Sequence, residues 1–313
     1  MALEGEQAKG IHIHRLRALA GFGVMTLVVA AAAAAVYRER HSFSSTMHRL
    51  GVWPLMAGLG CALVGVGATG PSWLEVVRGL GVDMPWRAGI RVFFTSQLGK
   101  YVPGSVWPLV IQMEAGRTYG ASRRTMAAAN ILAIVVACTT GLIVAAVLLP
   151  ASDAGALAHY WWTLLILPFL VALLYPRTIP ALLDRLFALA NRPPLGERLA
   201  PQNGLRAGAY MLLTWFGLGA QLAVLCFALG HRSLSTFLLC TGAMALAVPL
   251  GVLFIPAPAG AGIRDLTLVF VLTTLLTSGQ ALAIVVASRV LLITCDILLA
   301  SASLSLRSRP KSE

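Results

Sequence analysis

The sequence predicts an all-α, polytopic membrane protein, and three observations lead to that prediction. Hydrophobic residues make up 58% of the 313-residue chain and charged residues only 12%. The mean hydropathy is +0.80, and several apolar runs approach the roughly 20 residues that a helix needs to cross a bilayer. Short links between these runs hold most of the arginines. We therefore expect about eight transmembrane helices in a single integral membrane domain, residues 1–313.

The first half of this domain, residues 18–150, follows a cytoplasmic arm of residues 1–17. Its predicted spans are residues 18–36, 50–69 and 125–149. Between them, residues 70–91 are amphipathic and carry Trp73 and Trp86, which is typical of an interfacial stretch. Residues 92–112 are apolar but contain the interruption G-K-Y-V-P-G at 99–104. We expect a re-entrant or broken segment there.

The second half covers residues 160–306 and ends in a cytoplasmic tail, residues 307–313. Its predicted spans are residues 160–175, 206–229, 234–255, 263–276 and 281–304. A second interruption, P-A-P-A-G-A-G-I-R-D at 256–265, comes between two of them. Each half therefore contains one break rich in proline and glycine.

The two halves also correspond in spacing, which favours an internal duplication. Pro103 and Pro258 are 155 residues apart, and the spans that follow them are offset by about the same distance. Transporters often place their site where such repeats meet, with unwound segments facing one another near the midplane.

Basic residues fix the expected orientation, because cytoplasmic loops retain Lys and Arg. With both termini in the cytoplasm and residues 92–112 re-entrant, 17 of the 24 basic residues fall on the cytoplasmic side. Lys100, Arg264 and Arg289 remain at membrane depth. We expect the plasma membrane as the location.

Composition argues against other classes. A net charge of +12 suits nucleic-acid binding, but the arginines are spread between apolar runs rather than gathered on a soluble basic domain. The five cysteines lie inside apolar runs and form no CxxC pair, so we expect reduced thiols and no metal site. No nucleotide-binding loop is present, and we expect no cofactor.

The residues at the two breaks suit an anionic ligand. Backbone that leaves its helix at bilayer depth must line a cavity or be wrapped in protein, because lipid cannot satisfy the freed N–H and C=O groups. A helix that restarts after Gly104 or Gly262 points unpaired N–H groups into the break, which favours phosphate. Lys100 and Arg264 add full charges. For Lys100, snorkelling of the ammonium to the cytoplasmic interface is the alternative.

Arg289 and Asp296 stand inside the last predicted span. They are seven residues apart and share a helix face about 10 Å apart, too far for direct contact. Each therefore needs a partner on another element, and Asp265 is the expected partner of Arg289. Such a pair is either a structural lock or part of substrate coupling, with Asp265 and Asp296 as the candidates for proton coupling.

The interruptions also carry a family resemblance. Lys100, Tyr101, Pro103, Gly104 and Trp107 form the first motif, and Gly260, Gly262, Arg264 and Asp265 belong to the second. Together they resemble the membrane region of lysylphosphatidylglycerol synthases, which also occurs as stand-alone flippase-like proteins. The resemblance implies a multi-helix protein that acts on lipids, with these motif residues at the substrate site. In the helix after the first motif, relatives carry a Glu-Arg pair where this chain has Asn130 and Ile131.

Three candidate functions from different classes follow. The first is a flippase-like transporter of an anionic lipid or a polyprenyl-phosphate-linked intermediate, with Lys100, Arg264 and Arg289 at the phosphate. The alternative is a membrane glycosyltransferase that uses a lipid-linked donor, although the acids Glu39 and Asp153 are the only ones well placed for it. A non-catalytic partner of a lipid-modifying enzyme is the third. Because no soluble catalytic domain is evident, we expect no enzyme activity.

Overall fold

A computed structural model describes residues 37–101, 107–152, 168, 170, 199–253 and 262–306 of the chain. Within these ranges the protein is all-α and has no strand, which confirms the predicted fold class. The described helices are α1 (Arg40–Leu50), α2 (Val52–Gly79), α3 (Trp86–Gln97), α4 (Trp107–Arg117), α5 (Arg123–Ala151), α6 (Pro201–Ala228), α7 (Leu234–Leu253), α8 (Ile263–Leu272) and α9 (Ser278–Leu304). A 3-10 turn, Leu98–Tyr101, follows α3.

Five of these helices, α2, α5, α6, α7 and α9, are long and apolar enough to cross a membrane. The chain is therefore a multi-pass membrane protein. About eight spans were expected, and the described residues contain five. The predicted span at residues 18–36 lies outside the described residues, as does the one at 160–175 apart from two isolated positions.

The prediction of a span at residues 263–276 is wrong. Helix α8 ends at Leu272 after 10 residues, a length of about 15 Å against a hydrocarbon core of roughly 30 Å. The hydroxyls of Thr273 and Thr274 donate to the carbonyl oxygens of Phe270 and Val271 at 2.7 and 2.8 Å. These bonds satisfy carbonyls of the last turn, and the Thr277 hydroxyl caps the start of α9.

The interfacial interpretation of residues 70–91 is wrong for its first part. Helix α2 continues through Pro71 to Gly79, and Trp73 is only 2% exposed. Its indole N–H donates to the Asn130 side-chain oxygen on α5 at 3.1 Å, while the Ser72 hydroxyl donates to the Ala207 carbonyl on α6. The polar residues of this stretch therefore join helices inside the protein rather than meet headgroups.

Helices α2 and α6 pack against each other in antiparallel directions along their length. A Cβ added at Gly58 would touch Leu225, one at Gly65 would touch the backbone of Gly217 and Leu218, and one at Gly79 would touch Asn203. Contacts thus move toward the start of α6 as they move toward the end of α2. At Gly65 and Gly217 the two backbones meet directly, which small residues permit in membrane helices.

The two halves of the described chain repeat the same order of helices. Helix α5 begins at Arg123 and α9 at Ser278, the same separation as between Pro103 and Pro258, and both starts are capped by a hydroxyl, of Ser122 and Thr277. Before each of them stands a short helix, α4 and α8, with a matching offset.

The packing repeats as well as the order. Helix α5 packs against α2, α4, α6 and α7, and α9 packs against their counterparts α6, α8, α2 and α3. The counterparts α2 and α6 run in opposite directions.

Candidate functional site

The first break lies where α3 gives way to the 3-10 turn that carries Lys100 and Tyr101. The Gln112 side-chain N–H on α4 donates to the Ser96 hydroxyl on α3 at 2.8 Å. Along one straight helix, residues 16 apart would be about 24 Å apart, so the chain reverses direction between them. Pro103 and Gly104 lie in residues 102–106, outside the described residues.

Close packing at Gly99 brings the two arms of this reversal together. A Cβ at Gly99 would lie 2.9 Å from the Cβ of Trp107 and 3.2 Å from the Pro108 nitrogen. Trp107 itself is 46% exposed at the start of α4. The described contacts therefore place Trp107 beside the turn that carries Lys100.

The second break separates α7, which ends at Leu253, from α8, which begins at Ile263. The prediction that a helix starts directly after Gly262 is confirmed. Gly262 has a φ of 93°, a conformation that only glycine adopts readily. Its N–H donates to an Asp265 carboxylate oxygen at 3.4 Å. Gly260 lies in residues 254–261, outside the described residues.

Helix α9 supplies the remaining charges, and the expected pairing of Arg289 with Asp265 is confirmed. The Arg289 guanidinium donates to the carboxylate of Asp265 on α8. Both side chains are about one quarter exposed. This pair joins α9 to the start of the helix that follows the second break.

Asp296 binds the first break. Its carboxylate is 2.7 Å from the Lys100 ammonium nitrogen and accepts a hydrogen bond from the Tyr101 hydroxyl at 2.5 Å. Asp296 is only 4% exposed, while the Lys100 side chain is 29% exposed. The ammonium is therefore directed to an inward carboxylate, whereas snorkelling would direct it to the interface.

Arg264 precedes Asp265 on α8 and lies within electrostatic range of both ion pairs. Its guanidinium interacts electrostatically with Asp265 and Arg289 of the first pair, and with Tyr101 and Asp296 of the second. We call these six residues the charged cluster: Lys100, Tyr101, Arg264, Asp265, Arg289 and Asp296. The cluster brings together residues from both breaks and from α9.

Two of the guanidinium nitrogens of Arg264, Nε and Nη2, are buried and have no hydrogen-bond partner among the described residues. One carboxylate oxygen of Asp265 is in the same state. An arginine does not lose its proton in a protein, so a buried guanidinium needs an anion or acceptor nearby. Its planar fork matches a phosphate or carboxylate in two parallel hydrogen bonds.

The sequence argument missed one buried carboxylate. Glu75 on α2 is 6% exposed and accepts a hydrogen bond from the Asn203 side chain of α6 at 2.8 Å. Arg78 and Arg206 approach it, each at 3.9 Å. An acidic residue beside a long apolar run was the available signal, and the structure uses it to join α2 to α6.

A separate cavity of about 270 Å³ lies between the loops after α2 and α4. The side chains and backbone that line it carry no formal charge, and it includes none of the residues of the charged cluster. Its lining residues come from the loop that follows α2, the loop that precedes α5 and the first turn of α5, so these two helix ends lie side by side.

Comparisons with known proteins leave the family undetermined. No protein-family model matches the chain, and no curated protein matches it.

Proposed function

We propose that this protein is a flippase-like transporter that moves an anionic lipid, either a phospholipid or a polyprenyl-phosphate-linked intermediate, across the plasma membrane. The observation that carries the proposal is the charged cluster, in which side chains from both breaks meet on α9 around a guanidinium with unpaired nitrogens. A lipid phosphate supplies the acceptors that Arg264 needs.

The cost of burying charge supports a role beyond packing. A basic side chain at the centre of a bilayer costs about 2.5 to 3.5 kcal/mol on insertion scales, and intramembrane charges usually mark a substrate or ion pathway. Two of the three basic residues in the cluster have carboxylate partners, Asp296 and Asp265. Among the described residues Arg264 has no carboxylate bonded to it, and two of its buried nitrogens have no hydrogen-bond partner, which favours a ligand over a purely structural network.

The repeated architecture supports transport in particular. We propose that the two units form an inverted-topology repeat, with the first break entering from one side of the membrane and the second from the other. Transporters of this kind bind their substrate near the midplane between broken helices, and they rock one repeat against the other to change access.

For the orientation, we propose that both termini and the loops after α2 and α4 are cytoplasmic. Arg78 and Arg206 approach the same carboxylate from α2 and α6, and Arg117 and Arg123 share Glu114 beside the start of α5. The clustering of basic residues at one end of the bundle fits the retention of Lys and Arg in the cytoplasm.

A transport assay tests the function. Purified protein in liposomes should accelerate the transbilayer movement of a fluorescent anionic phospholipid relative to protein-free liposomes. Substitutions Arg264→Gln, Lys100→Ala and Arg289→Ala should each slow that movement at least tenfold. Arg123→Gln is the matched control, because it removes an exposed arginine from the start of α5, and its rate should equal that of the wild type.

A parallel set of liposomes that also contains a lipid-linked sugar tests the enzyme alternative. Thin-layer chromatography and mass spectrometry of the lipids after incubation should show the same covalent species as before. Equal rates in wild-type and protein-free liposomes would refute the transport proposal, and a new covalent product would establish an enzyme instead.

Site-directed labelling tests the orientation. A single cysteine at Thr118 should react with a membrane-impermeant reagent only after the cell is permeabilised, whereas one at Ser233 should react in intact cells. Both positions are exposed in the structure. The reverse pattern would overturn the proposed orientation.

A further inference from the structure

The charged cluster has an odd number of formal charges. Three cations, Lys100, Arg264 and Arg289, surround two carboxylates, Asp265 and Asp296, and the Tyr101 phenol is a neutral donor to one of them. The sum is +1. The two undescribed breaks, residues 102–106 and 254–261, contain no ionisable residue in the sequence, so their side chains do not change this sum.

The two carboxylates of the charged cluster also limit how much negative charge a ligand can add. Asp296 is occupied by Lys100 and Tyr101, and Asp265 is occupied by Arg289. The second oxygen of Asp265 is buried without a described partner, so it repels any further negative charge that approaches Arg264. The available positive charge is therefore that of one guanidinium.

In a low-dielectric site, an uncompensated charge of either sign is costly. A ligand with one negative charge brings the cluster to neutrality. A ligand with two would leave it at −1 beside two carboxylates, and a zwitterion would leave it at +1. The cost is lowest for the monoanion.

We infer that the charged cluster selects lipids whose headgroup is a phosphodiester monoanion, and discriminates against phosphomonoesters and pyrophosphates. The inference rests on the proposed transport function and names its substrate class. Two sources share this chemistry, a glycerophospholipid such as phosphatidylglycerol and a polyprenyl lipid joined to a sugar through a single phosphate.

The experiment compares headgroup charge at constant acyl chains. Full-length protein is reconstituted at pH 8 with fluorescent phosphatidylglycerol, phosphatidic acid or phosphatidylcholine, which carry one, nearly two and no net negative charges. The wild type should move phosphatidylglycerol at least tenfold faster than either of the others. A fourth sample contains a polyprenyl lipid joined to a sugar through a single phosphate. The monoanionic lipid that the protein moves faster, this one or phosphatidylglycerol, identifies which of the two classes it prefers.

Changing the charge of the cluster should change the preference. Asp265→Asn raises the sum to +2 and should shift the preference at least tenfold toward phosphatidic acid. Arg264→Gln lowers it to zero and should remove the advantage of phosphatidylglycerol over phosphatidylcholine. Asp265→Glu keeps the charge and should keep the wild-type order of substrates.

A matched control separates local from overall charge. Glu114→Gln changes the net charge of the chain by the same amount as Asp265→Asn, but Glu114 is exposed outside the charged cluster. Its preference should equal that of the wild type. If Asp265→Asn lowers the melting temperature too far for assay, the Arg264→Gln arm decides.

The outcomes separate this inference from the function on which it rests. If the protein moves phosphatidic acid as fast as phosphatidylglycerol, or if the folded cluster variants keep the wild-type preference, the inference is overturned while transport stands. If no anionic lipid moves, both fail.

Discussion

Helices α5 and α9 occupy corresponding places in the two halves, yet their middles are chemically opposite. Arg289 and Asp296 on α9 correspond, at the common offset, to Ile134 and Gly141 on α5. Ile134 is 48% exposed, as expected of a side chain that faces lipid. A Cβ added at Gly141 would lie 2.8 Å from the Ala245 carbonyl oxygen and 2.9 Å from Pro249, so α5 is closed against α7 where α9 carries charge.

The difference teaches that the repeated frame does not by itself create a polar site. The same helix order and corresponding packing partners surround ion pairs at α9 and a close, uncharged contact with α6 and α7 at α5. Side-chain identity at two positions of one helix decides which of these forms.

Placing a charge at the closed counterpart should give the largest effect. Gly141→Asp puts an unpaired carboxylate against the Ala245 carbonyl and Trp215, and we expect it to destabilise the protein by more than about 3 kcal/mol. Fluorescence-detected size-exclusion chromatography after heating measures this. Gly120→Asp is the control, since Gly120 lies in the loop after α4, a Cβ there meets no atom within 4 Å, and Asp tolerates its positive φ. Equal melting temperatures for the two variants would contradict the proposed difference between α5 and α9.

The contact between α2 and α6 should be disrupted by a larger side chain on either helix. Gly65→Ala and Gly217→Ala each introduce a Cβ that would lie within 3 Å of the opposite backbone. Because neither backbone moves cheaply, we expect each substitution to destabilise the protein by about 1 to 3 kcal/mol. Gly67→Ala is the control on the open face of α2. A loss at only one of the two glycines would contradict the close contact between their backbones.

The buried ion pair should couple more strongly than an exposed one. A double-mutant cycle with Lys100→Met and Asp296→Asn should give a coupling free energy of about 2 kcal/mol, because hydrogen bonds to charged groups contribute about 1.5 to 3. The cycle for Arg123→Gln and Glu114→Gln should give a clearly smaller coupling, since both side chains are more than half exposed and solvent screens their charges. Similar values would show that solvent screens both pairs equally.

The smallest expected effect is a pH dependence at Glu114. Hydrogen bonds from Arg123 and Arg117 lower the pKa of its carboxyl below the ordinary 4.5. A lowered pKa stabilises the folded state above pH 4.5, and that contribution is lost as the pH falls through the folded value. The small difference in melting temperature between wild type and Glu114→Gln should therefore narrow below pH 4.5. A difference that widens there would contradict the assignment.

Hydropathy predicted the long helices because an apolar run of bilayer length has only one way to satisfy its backbone in lipid. It failed at residues 70–91 because Pro71 and the polar side chains near it resemble an interfacial link, whereas their partners on α5 and α6 are far away in sequence. Asn130 for Trp73 and Ala207 for Ser72 are such partners. It also overestimated the length of α8, which ends before Thr273 and Thr274. The hydroxyls of these two residues donate to carbonyl oxygens of its last turn.

The candidate site was predictable to the extent that charge is rare at membrane depth. Arg289 required a partner of opposite sign, and Asp265 beside the second break was the natural choice. The contact of Asp296 with Lys100 and Tyr101 was not predicted, because it joins residues almost 200 positions apart. Nothing in the spacing indicates that the first break reaches Asp296 in the second half of α9.

The sequence by itself determined that this is an all-α membrane protein, because composition and run length decide whether a chain can satisfy its backbone in lipid. It also indicated that a helix begins after Gly262, since glycine acts locally through its positive φ. Only the tertiary structure decided that the two interruptions meet on one helix. That outcome depends on antiparallel packing through Gly65 and Gly217 and on ion pairs between distant segments, which no local preference encodes.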